Sequence, residues 1–571
     1  MWQLNRRQFL QRSAALGLAT TLPACTKFTS WGLPITVYLP GIEAGHSLRD
    51  NTSPIQPSSE RRVKVAILGS GAAGLFAAWR LVQDGFTDFV LVEGPEWGGN
   101  CANGQFSPNT NSNIHYPRGA HYLPLPSMES THIRELLLDM GVIEANAFMP
   151  NPLFDERVLV HAPEDRLLIN GQWQEGLIPQ QGIPAAEIAE QKRFFQYIEQ
   201  IKQQKGSDGK RPFCVPMAHS SQDTAWRKLD DISFADWLKR HQYTAPSLLW
   251  YLDYACRDDY GIGLAQTSAW AGLHYFASRG EQTNDSRRGE EIEHSSRAGA
   301  KHSKTASNAH EGAVLTWPDG LNPLIRHMTS KLTANQRMTG VATRVQEQGQ
   351  TVSIDVLDPS TKTATRLIAD HVICAMPLHV AAHIIPEIQG LGFDLKQHGT
   401  HHAPWQVSNF LINRFPTEPE HHPLAWDNVV YGSRSLGFVN GTHQLIRTAK
   451  PEYSVMTAYH AYANEDPKIV RQRLERATGD ELYAIAAQDL DAAYGWGSQF
   501  KARESVQQVE ITLRGHAMSS PTVGFLNNTG VESLLQQNSR IQFAHSDLSG
   551  ISIFEEAAWW GDVAAKKILA R

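Results

Sequence analysis

The chain has 571 residues, of which 41% are apolar and 19% charged, with a formal net charge of -6 and a pI near 6.5. This length is too great for one compact core and suits two domains plus a targeting segment. The charge balance is ordinary for a globular protein and provides no basic surface for nucleic acid. The cysteines lack C-x-x-C spacing and therefore indicate neither a zinc site nor a disulfide framework.

The first 25 residues have the character of a targeting segment. The Arg6-Arg7 pair precedes a weakly apolar stretch, residues 13–24, and together they resemble a twin-arginine signal. That stretch is far shorter than the ~20 residues needed to cross a bilayer, and no later apolar run is long and uncharged enough to do so. We therefore predict no transmembrane helix. Residues 22–25 resemble a lipobox apart from its proline, which makes Cys25 a candidate lipidation site.

The resemblance to a twin-arginine signal implies export of the folded protein by the twin-arginine machinery. We expect it in the periplasm or on the outer face of a bacterial membrane, with membrane contact only through a lipid on Cys25. The alternative is a cytoplasmic protein with a basic N-terminus. Residues 26–60 contain four prolines without clear periodicity, which predicts a linker.

A nucleotide-binding unit follows the predicted linker. The apolar run 63–68 predicts a strand, which leads into Gly-Ser-Gly-Ala-Ala-Gly and a helix over 75–83. The first glycine permits a tight turn, the second lets backbone N–H groups reach a pyrophosphate, and the third lets helix and strand pack closely. A second strand ends in an acid nineteen positions later, where a carboxylate accepts hydrogen bonds from the ribose. The predicted dinucleotide-binding residues are Gly69, Gly71, Ala72, Ala73, Gly74 and Glu93.

The next residues, Gly-Pro-Glu-Trp-Gly-Gly-Asn at 94–100, resemble the flavin-containing amine oxidase and protoporphyrinogen oxidase superfamily, which also includes phytoene desaturase-like proteins. The resemblance implies FAD as the cofactor and a turn at Gly98 and Gly99 that runs under it. The family usually has arginine after this pair. Asn100 departs from that pattern and removes one expected phosphate contact.

Residues 116–122 are similar to the family's Gly-Ala-His segment, which lies beside the isoalloxazine. The resemblance places Gly119, Ala120 and His121 at the flavin, and the alternative is a loop with an incidental histidine. In the middle of the chain, residues 316–324 and 369–377 follow the family's order. Val341 matches the position whose backbone meets the adenine.

The C-terminal residues 543–565 are similar to the family's closing motif, a strand and an acid followed by a helix. The resemblance implies that Asp547 binds the ribityl or pyrophosphate region. It also implies that the helix beginning near Phe554 points its N-terminus at the flavin N1/O2 edge and stabilises the anionic reduced flavin. Trp559 and Trp560 on this helix either border the substrate cavity or pack in the core.

The resemblance implies an α/β fold with a Rossmann-like FAD-binding domain assembled from N-terminal, central and C-terminal segments. An α+β substrate domain of the amine oxidase type is inserted into it. We predict residues 61–132, 313–377 and 508–571 for the FAD-binding domain and 133–312 and 378–507 for the substrate domain. Within the latter, residues 279–311 are polar and irregular and predict a disordered surface loop.

Inside the predicted substrate domain, residues 254–261 concentrate charge and phenol groups. Asp258 or Asp259 is a candidate to hold a cationic amine, and Arg257 to hold a carboxylate. The alternative is a structural Arg–Asp pair that caps a helix.

Two adjacent histidine pairs, at 401–402 and 421–422, raise the question of a metal site. Neighbouring residues on a strand face opposite ways, and neither pair shows the i, i+4 spacing of helical ligands. We therefore predict that both pairs are exposed to solvent and that the chain has no metal site.

Because a flavin itself accepts hydride, the protein needs only to orient the substrate and tune the ring. We predict an exported FAD-dependent oxidoreductase that transfers hydride from the C–N bond of an amine or amino acid to flavin N5, with oxygen or a quinone-type carrier as acceptor. The catalytic candidates are His121, Trp559 and Trp560, and no lysine matches the family position beside N5. Two alternatives stay open, a desaturase or isomerase of an apolar polyene and a flavin-binding lipoprotein without turnover.

Overall fold

The computed structural model of the chain describes residues 24–50, 55–110, 112–279, 312–446, 449 and 451–571. The predicted export signal up to residue 23 and residues 280–311 of the predicted loop lie outside the described residues. Within the described ranges, every helix is too short or too polar to cross a membrane.

The strands of the described residues are numbered in chain order. They are β1 (Ala24–Phe28), β2 (Pro34–Tyr38), β3 (Ser59–Leu68), β4 (Phe89–Val92), β5 (Asn103–Asn109), β6 (Ser112–Pro117), β7 (Tyr122–Pro124), β8 (Ile143–Ala145), β9 (Leu153–Phe154), β10 (Asp165–Ile169), β11 (Gln172–Glu175), β12 (Val314–Thr316), β13 (Arg337–Met338), β14 (Val341–Gln348), β15 (Thr351–Asp358), β16 (Thr363–Cys374), β17 (His402–Ile412), β18 (Asp427–Val430), β19 (Phe438–Asn440), β20 (Ser454–Ala461), β21 (Val506–Ser519) and β22 (Ile541–Phe543).

The α-helices are numbered in the same way. They are α1 (Ile42–Arg49), α2 (Ala72–Gln83), α3 (Thr131–Asp139), α4 (Ala185–Lys202), α5 (Thr224–Arg227), α6 (Phe234–Arg240), α7 (Pro246–Tyr260), α8 (Ala269–Ala277), α9 (Asn322–Ser330), α10 (Leu378–Ile384), α11 (Leu395–His398), α12 (Pro467–Arg476), α13 (Gly479–Ala486), α14 (Gln488–Tyr494), α15 (Gln499–Ala502), α16 (Thr529–Gln536) and α17 (Phe554–Leu569).

A seven-stranded sheet carries the nucleotide-binding motif, with the order β13-β4-β3-β16-β15-β14 and β22 paired to β16. Strands β3, β4, β13, β16 and β22 run parallel, whereas β14 and β15 add an antiparallel edge. Side chains alternate across the sheet, so Val65 and Ile67 pack with helices α2 and α17, and Ala66 and Leu68 pack with α10. This arrangement of helices around a parallel sheet confirms the predicted α/β class.

A nine-stranded sheet forms the second layer, with the order β1-β2-β21-β17-β20-β19-β18-β10-β11. Its centre is the long antiparallel pair β17 and β21, and every residue of β17 is buried. Helices α4, α6, α7 and α8 form a separate aromatic-rich cluster beside it. A substrate pocket can therefore form between this sheet, these helices and the seven-stranded sheet.

The predicted linker over residues 26–60 is wrong for most of its described residues, since β1 and β2 are followed there by α1 and β3 begins at Ser59. Residues 24–38 form β1 and β2, and β2 pairs in parallel with β21. Ile35 and Val37 lie on either side of the less buried Thr36 and enter the core of the nine-stranded sheet, so this apolar alternation outweighs the prolines. Cys25 lies exposed in the edge strand β1, opposite Val37.

Two predicted domain boundaries also need correction. Residues 508–519, assigned to the FAD-binding domain, belong to β21 and therefore to the nine-stranded sheet. Residues 378–398, assigned to the substrate domain, place Leu378, Ile384 and Phe393 in the core of the seven-stranded sheet. A boundary drawn from motif positions alone misses where the apolar faces of these two segments pack.

Candidate functional site

The glycine-rich turn joins β3 to α2 at the carboxyl edge of the seven-stranded sheet. Gly69 has a φ of 109°, and a Cβ there would lie 2.6 Å from the carbonyl oxygen of Ala375. A Cβ on Gly74 would meet the Gly69 carbonyl oxygen at 1.9 Å, whereas one on Gly71 would meet nothing within 4 Å. Helix α2 has no side-chain N-cap. Its first N–H groups therefore face open space of the kind that a phosphate fills.

Glu93 follows β4, and its side chain remains partly exposed. Arg337 lies 3.5 Å from its carboxylate and places its guanidinium 4.3 Å from the centre of the Trp97 ring. The backbone N–H of Gly94 donates to Gly340, immediately before Val341. The structure thus brings Glu93 and Val341 together at the edge where the resemblance places the adenosine.

The Gly98-Gly99 turn lies directly beside the glycine-rich turn, since a Cβ on Gly99 would be 3.3 Å from the Gly71 Cα. Asn100, which replaces the family arginine, donates its side-chain N–H to the Ala517 carbonyl at 2.7 Å. A buried arginine reaches the same turn from β21. Arg514 donates to both carboxylate oxygens of Glu96 at 2.8 and 3.2 Å and to the Gly99 carbonyl at 3.3 Å.

His121 lies where the two sheets meet. A Cβ on Gly119 would be 2.2 Å from the Asn100 carbonyl oxygen, which holds this segment against the Gly-Gly turn. His121 Nδ1 is 2.8 Å from the Tyr459 hydroxyl, and burial lowers the pKa of His121 to about 3. Its ring is therefore neutral at physiological pH. Among the described residues, its Nε2 has no hydrogen-bond partner.

Asp547 is completely buried and already bonded to protein groups. It accepts from the Leu378 N–H at 2.8 Å and from His402 Nε2 at 3.1 Å, and His545 Nδ1 lies 3.2 Å away. Although burial opposes its charged form, His545 and His402 hold the pKa of Asp547 well below its usual range. These contacts leave little accepting capacity for a ribityl hydroxyl, and the predicted role of Asp547 in FAD binding stays a prediction.

The expectation that His402 is exposed is wrong. His402 is the first residue of β17, and its ring is buried. Burial by itself would lower the pKa of His402, but the neighbouring carboxylate of Asp547 raises it above its usual value. Ligand atoms of His379, His402 and Asp547 lie within 4.8 Å of one another. The hydrogen bond between His402 and Asp547 explains the closeness of these two residues as an ion pair. His401 is only partly exposed, whereas His421 and His422 are exposed, as predicted.

Helix α17 begins at Phe554 without a side-chain N-cap and carries two acids in its first turn. Glu555 forms an ion pair with Arg279 at 2.6 Å. Glu556 accepts from the Ser549 hydroxyl and the Met217 N–H at 2.5 Å each, and burial raises its pKa to about 7. Arg279 thus neutralises the charge of Glu555, and Glu556 can be protonated near neutral pH. The positive end of the helix dipole is therefore not cancelled by these two acids.

The two tryptophans of α17 differ in their surroundings. Trp560 donates its indole N–H to Ser549 at 2.7 Å and packs against the cores on both faces of the seven-stranded sheet. Trp559 packs edge-on against His132 and His219, with ring centres 5.5 and 4.8 Å away. Trp560 therefore matches the core alternative, and a catalytic role for either residue stays a prediction.

An internal space beside His121 is lined by carboxylates and phenols, and we call it the acid–tyrosine cavity. Its walls come from helices α7 and α8 and strands β7, β18 and β20. The lining side chains keep accessible surface although protein surrounds them on every side, which marks the wall of an internal cavity. They are Tyr122, Tyr251, Asp258, Asp259, Tyr275, Asp427 and Tyr459.

Hydrogen bonds and ring contacts connect this cavity to the Gly-Ala-His segment. The Tyr122 hydroxyl donates to Asp258 at 3.2 Å. Trp426 lies edge-on to the rings of His121 and Tyr122, with centres 5.8 Å apart in both cases. The predicted neighbours of the isoalloxazine thus also line the cavity, so a molecule in the cavity lies at the expected flavin edge.

Among the described residues, no ion pair joins the cavity carboxylates to a cation, although Arg279 lies near enough to Asp259 to oppose the rise of its pKa. Burial raises the pKa of Asp258 to about 6 and that of Asp259 to about 7, and it raises the pKa of Asp427 well above its usual range. Unpaired buried charge is costly unless a proton or a bound cation compensates it. The cavity is therefore suited to a cationic ligand.

Arg257 is not available to hold a substrate carboxylate. Its guanidinium donates to Asp253 at 2.9 Å and to the Arg434 carbonyl at 2.8 Å, and the residue is buried. The alternative of a structural Arg–Asp pair therefore holds for Arg257, and its partner is Asp253 instead of Asp258 or Asp259. Asp258 and Asp259 form no ion pair with Arg257, so both can meet a cationic amine, although Arg279 partly compensates Asp259.

Sequence reasoning missed Arg514, Asp427 and Tyr459. They lie on β21, β18 and β20, far from any recognisable motif, and reach the site only through strand pairing. A weak signal exists for Asp427, since aspartate is depleted in β-strands. For Arg514 and Tyr459 the sequence offers none.

The residues present fit FAD. Gly71 leaves open space at an uncapped helix start, Glu93 lies beside Val341 at the adenosine end, and the unpartnered Nε2 of His121 marks the opposite end. These features follow the order in which an extended dinucleotide would run from ribose through pyrophosphate to the ring. The fit does not depend on Asp547.

Comparisons with known proteins agree with this geometry. A family model described as flavin containing amine oxidoreductase matches residues 72–507. No curated protein matches the sequence.

Solved structures share the fold at low sequence identity. Putrescine oxidase, a wild-type form bound to putrescine, has a TM-score of 0.57 at 14% identity, covering 90% of this chain and 100% of that one. Cyclohexylamine oxidase from Brevibacterium oxydans IH-35A gives 0.58 at 15%, covering 89% and 100%. A CLA-producing fatty acid isomerase from P. acnes gives 0.54 at 16%, covering 88% and 98%. At these sequence identities, the structural similarity establishes the fold alone.

Proposed function

The chain belongs to the flavin-containing amine oxidoreductases, and from this premise we propose that it oxidises the C–N bond of an amine to an imine in the acid–tyrosine cavity. It is an FAD-dependent oxidoreductase, and the bound FAD supplies the hydride acceptor. The protein's own residues have to bind the amine, orient its C–H bond and handle its protons.

The observation that carries the proposal is the group of carboxylates beside His121. Asp258 is tied to Tyr122, the residue after His121, so an ammonium bound by Asp258 is held at the flavin end of the cavity. The phenol rings around it add faces that attract cations. Amine oxidases are also prominent among the structures with this fold, namely putrescine oxidase and cyclohexylamine oxidase.

The amine must lose a proton before hydride can leave its carbon. Asp258 and Asp259, with pKa values of about 6 and 7, are carboxylates that can take up this proton near neutral pH. His121 is suited to a different task, because its low pKa keeps it neutral and able to accept or donate one hydrogen bond. We assign His121 to orientation of the flavin or the amine.

An amine is favoured over the alternatives. An amino acid would need a cation for its carboxylate, and Arg257 is already occupied by Asp253. An apolar polyene, the substrate of the desaturase or isomerase alternative, would offer no positive charge to the buried acids Asp258 and Asp427. A flavin-binding protein without turnover remains an outcome of the test below.

The direct test is an anaerobic titration of the purified holoenzyme with amines, amino acids and polyenes. We expect amines to bleach the oxidised flavin band near ~450 nm, and amino acids and polyenes to leave it. Asp258→Asn should slow bleaching by amines, with the exposed Asp370→Asn as control. A flavin band that no amine bleaches would contradict the proposal and favour the binding protein.

We also propose export by the twin-arginine route and reoxidation by oxygen or a quinone-type carrier. Support comes from the Arg6-Arg7 pair in the sequence and from Cys25, which is exposed on an edge strand where a lipid would not disturb the core. Replacing both arginines by lysine should retain the protein in the cytoplasm. If the substituted protein still reaches the periplasm, the route is wrong. Mixing reduced enzyme with oxygen or with a quinone identifies the acceptor.

A further inference from the structure

We propose that His379, His402 and Asp547 form a binding site for one divalent transition-metal cation such as Zn²⁺. None of the three residues lines the acid–tyrosine cavity, and the site does not depend on the proposed oxidation of amines. One ligand atom from each residue lies within 4.8 Å of the other two. Imidazole nitrogens together with a carboxylate oxygen are a donor set that binds Zn²⁺ and Fe²⁺ in proteins.

The ring of His402 is held in the orientation that a metal ligand needs. Its Nδ1 lies 3.1 Å from the Thr400 carbonyl oxygen, which can only accept, so Nδ1 carries a hydrogen and donates it. Metal-binding histidines usually give their other ring N–H to an acceptor of this kind. Nε2 lies 3.1 Å from the Asp547 carboxylate. Once Nε2 loses its proton, its lone pair and a carboxylate oxygen face the same small space.

Asp547 presents one oxygen to this space and uses the other elsewhere. Its Oδ2 accepts the Leu378 N–H at 2.8 Å, whereas Oδ1 contacts His402. His545 Nδ1 also lies 3.2 Å from Oδ1, but it accepts the backbone N–H of Asp547 at 3.1 Å and is not counted as a ligand. The proton between His402 and Asp547 makes the ion pair described above. A divalent cation takes the place of this proton, which leaves to solvent, and the buried carboxylate stays compensated.

His379 supplies the third ligand from a different element. It is the second residue of α10 and is partly exposed, and its ring centre lies 4.9 Å from that of His402. Its Nδ1 is buried and has no hydrogen-bond partner among the described residues, which is costly for a polar atom. The ring of His516 stacks on it with centres 4.6 Å apart. A cation beside His402 would give this unsatisfied ring a partner.

The spacing of the three residues requires only a small adjustment. Ligand atoms at the usual zinc distance of about 2.0–2.1 Å lie about 3.3 Å apart around a tetrahedral ion. His402 Nε2 and the Asp547 carboxylate already approach this spacing, at 3.1 Å. The ligand atom of His379 lies within 4.8 Å of both, and rotation of this partly exposed side chain brings it closer. Three protein ligands leave the fourth position of the ion to water.

The three ligands come from both sheets of the protein. His402 begins β17 of the nine-stranded sheet, whereas His379 and Asp547 follow β16 and β22 of the seven-stranded sheet. The sequence-based prediction of no metal site considered only the spacing of adjacent histidines, which carries no information about ligands that strand order brings together. A bound cation ties the two sheets to each other, so its main effect is on stability.

The test uses the holoenzyme without a histidine tag, dialysed against a chelator and titrated anaerobically with Zn²⁺, Mn²⁺ or Fe²⁺ in a calorimeter. We expect one Zn²⁺ per chain and a higher thermal midpoint when Zn²⁺ is bound. Loss of an outer partner alone weakens a metal site about 10–100-fold, so His379→Gln, which removes a ligand, should weaken Zn²⁺ binding at least about 100-fold. Its flavin content should be unchanged. His421→Gln, at an exposed histidine, is the matched control and should bind Zn²⁺ as the wild type does.

A second measurement does not depend on the folding of any variant. X-ray absorption at the zinc edge of the wild-type holoenzyme should show nitrogen and oxygen ligands at about 2.0–2.1 Å, with the scattering of two imidazoles. A sulfur ligand would overturn the site, and so would a holoenzyme that binds none of the three cations. Folded His379→Gln that binds Zn²⁺ as tightly as the wild type would overturn it as well.

Discussion

The nucleotide-binding edge and the acid–tyrosine cavity are built in opposite ways. The first depends on backbone conformation, with Gly69, Gly71 and Gly74 leaving space and free N–H groups at the start of one helix. The cavity depends on side chains from two helices and three strands, and none of its acids forms an ion pair with a described residue. A phosphate site can thus be contained in one short segment, whereas selectivity for a substrate requires the assembled fold.

The largest effect should follow from closing the nucleotide-binding edge. Gly71→Glu fills the open space and places a carboxylate at the helix start that would otherwise face the phosphates. We expect loss of bound FAD, which the visible absorption spectrum and released flavin measure. Gly45→Glu is the matched control, because a Cβ there also meets nothing within 4 Å. Retention of FAD by Gly71→Glu would show that the phosphates bind elsewhere.

The next effect should come from the cavity. Asp258→Asn removes the carboxylate at its flavin end while keeping a side chain of similar size that can still bond to Tyr122. Loss of a buried ion pair costs about 3 kcal/mol, so kcat/KM for amines should fall on the order of 100-fold with FAD content unchanged. Steady-state kinetics measure it. An equal loss of FAD and activity would mean that the two regions are not separable.

The pH dependence of stability distinguishes the regions further. Burial raises the pKa of Asp259 to about 7, so its contribution to stability is complete at acid pH and is lost as pH rises through about 7. Without a cationic ligand, Asp259→Asn should therefore be more stable than the wild type at pH 8, by about 2 kcal/mol, and similar to it near pH 4. Denaturant unfolding at both pH values measures this. Higher stability of the wild type at pH 8 would mean that the attraction of Arg279 for Asp259 outweighs the cost of burying its charge.

The smallest effect concerns helix α17, which packs against the seven-stranded sheet. Trp560→Phe removes the hydrogen bond to Ser549 and should cost about 1 kcal/mol of stability. Trp559→Phe is the comparison, since in the described part its indole N–H has no partner and its loss should cost less. Thermal unfolding measures both variants. A slower flavin reduction in Trp559→Phe alone would give that residue a role in the reaction.

The fold could be predicted largely because the nucleotide-binding unit is continuous in sequence. Residues 63–93 contain the strand, the glycines, the helix and the terminal acid, so local rules apply to all of them. The prolines in residues 26–60 led to the incorrect prediction of a linker, because the structure of this segment depends on a distant partner. Their neighbours Ile35 and Val37 form a strand only because β21 offers them a partner from the other end of the chain.

The cavity could be predicted only in part. Asp258 and Asp259 were found because they cluster with tyrosines on one helix, whereas Asp427 is isolated in sequence and meets them through the pairing of β18 with β19 and β10. The histidine at 402 shows the same limit. Its burial depends on Asp547, which lies 145 positions away. Long-range pairs of this kind leave no periodic signal for local rules to detect.

The pairing of β3 with β16 has a consequence for how the protein is made. Ser59 and Thr365, which are register partners in these strands, are 306 positions apart, and β22 joins the same sheet still later. Such a high contact order makes folding slow and leaves β3 without its partner during most of synthesis. The cofactor site therefore matures late, after the ribosome has released most of the chain, and any truncation that removes β22 and α17 should yield a protein that never acquires its flavin.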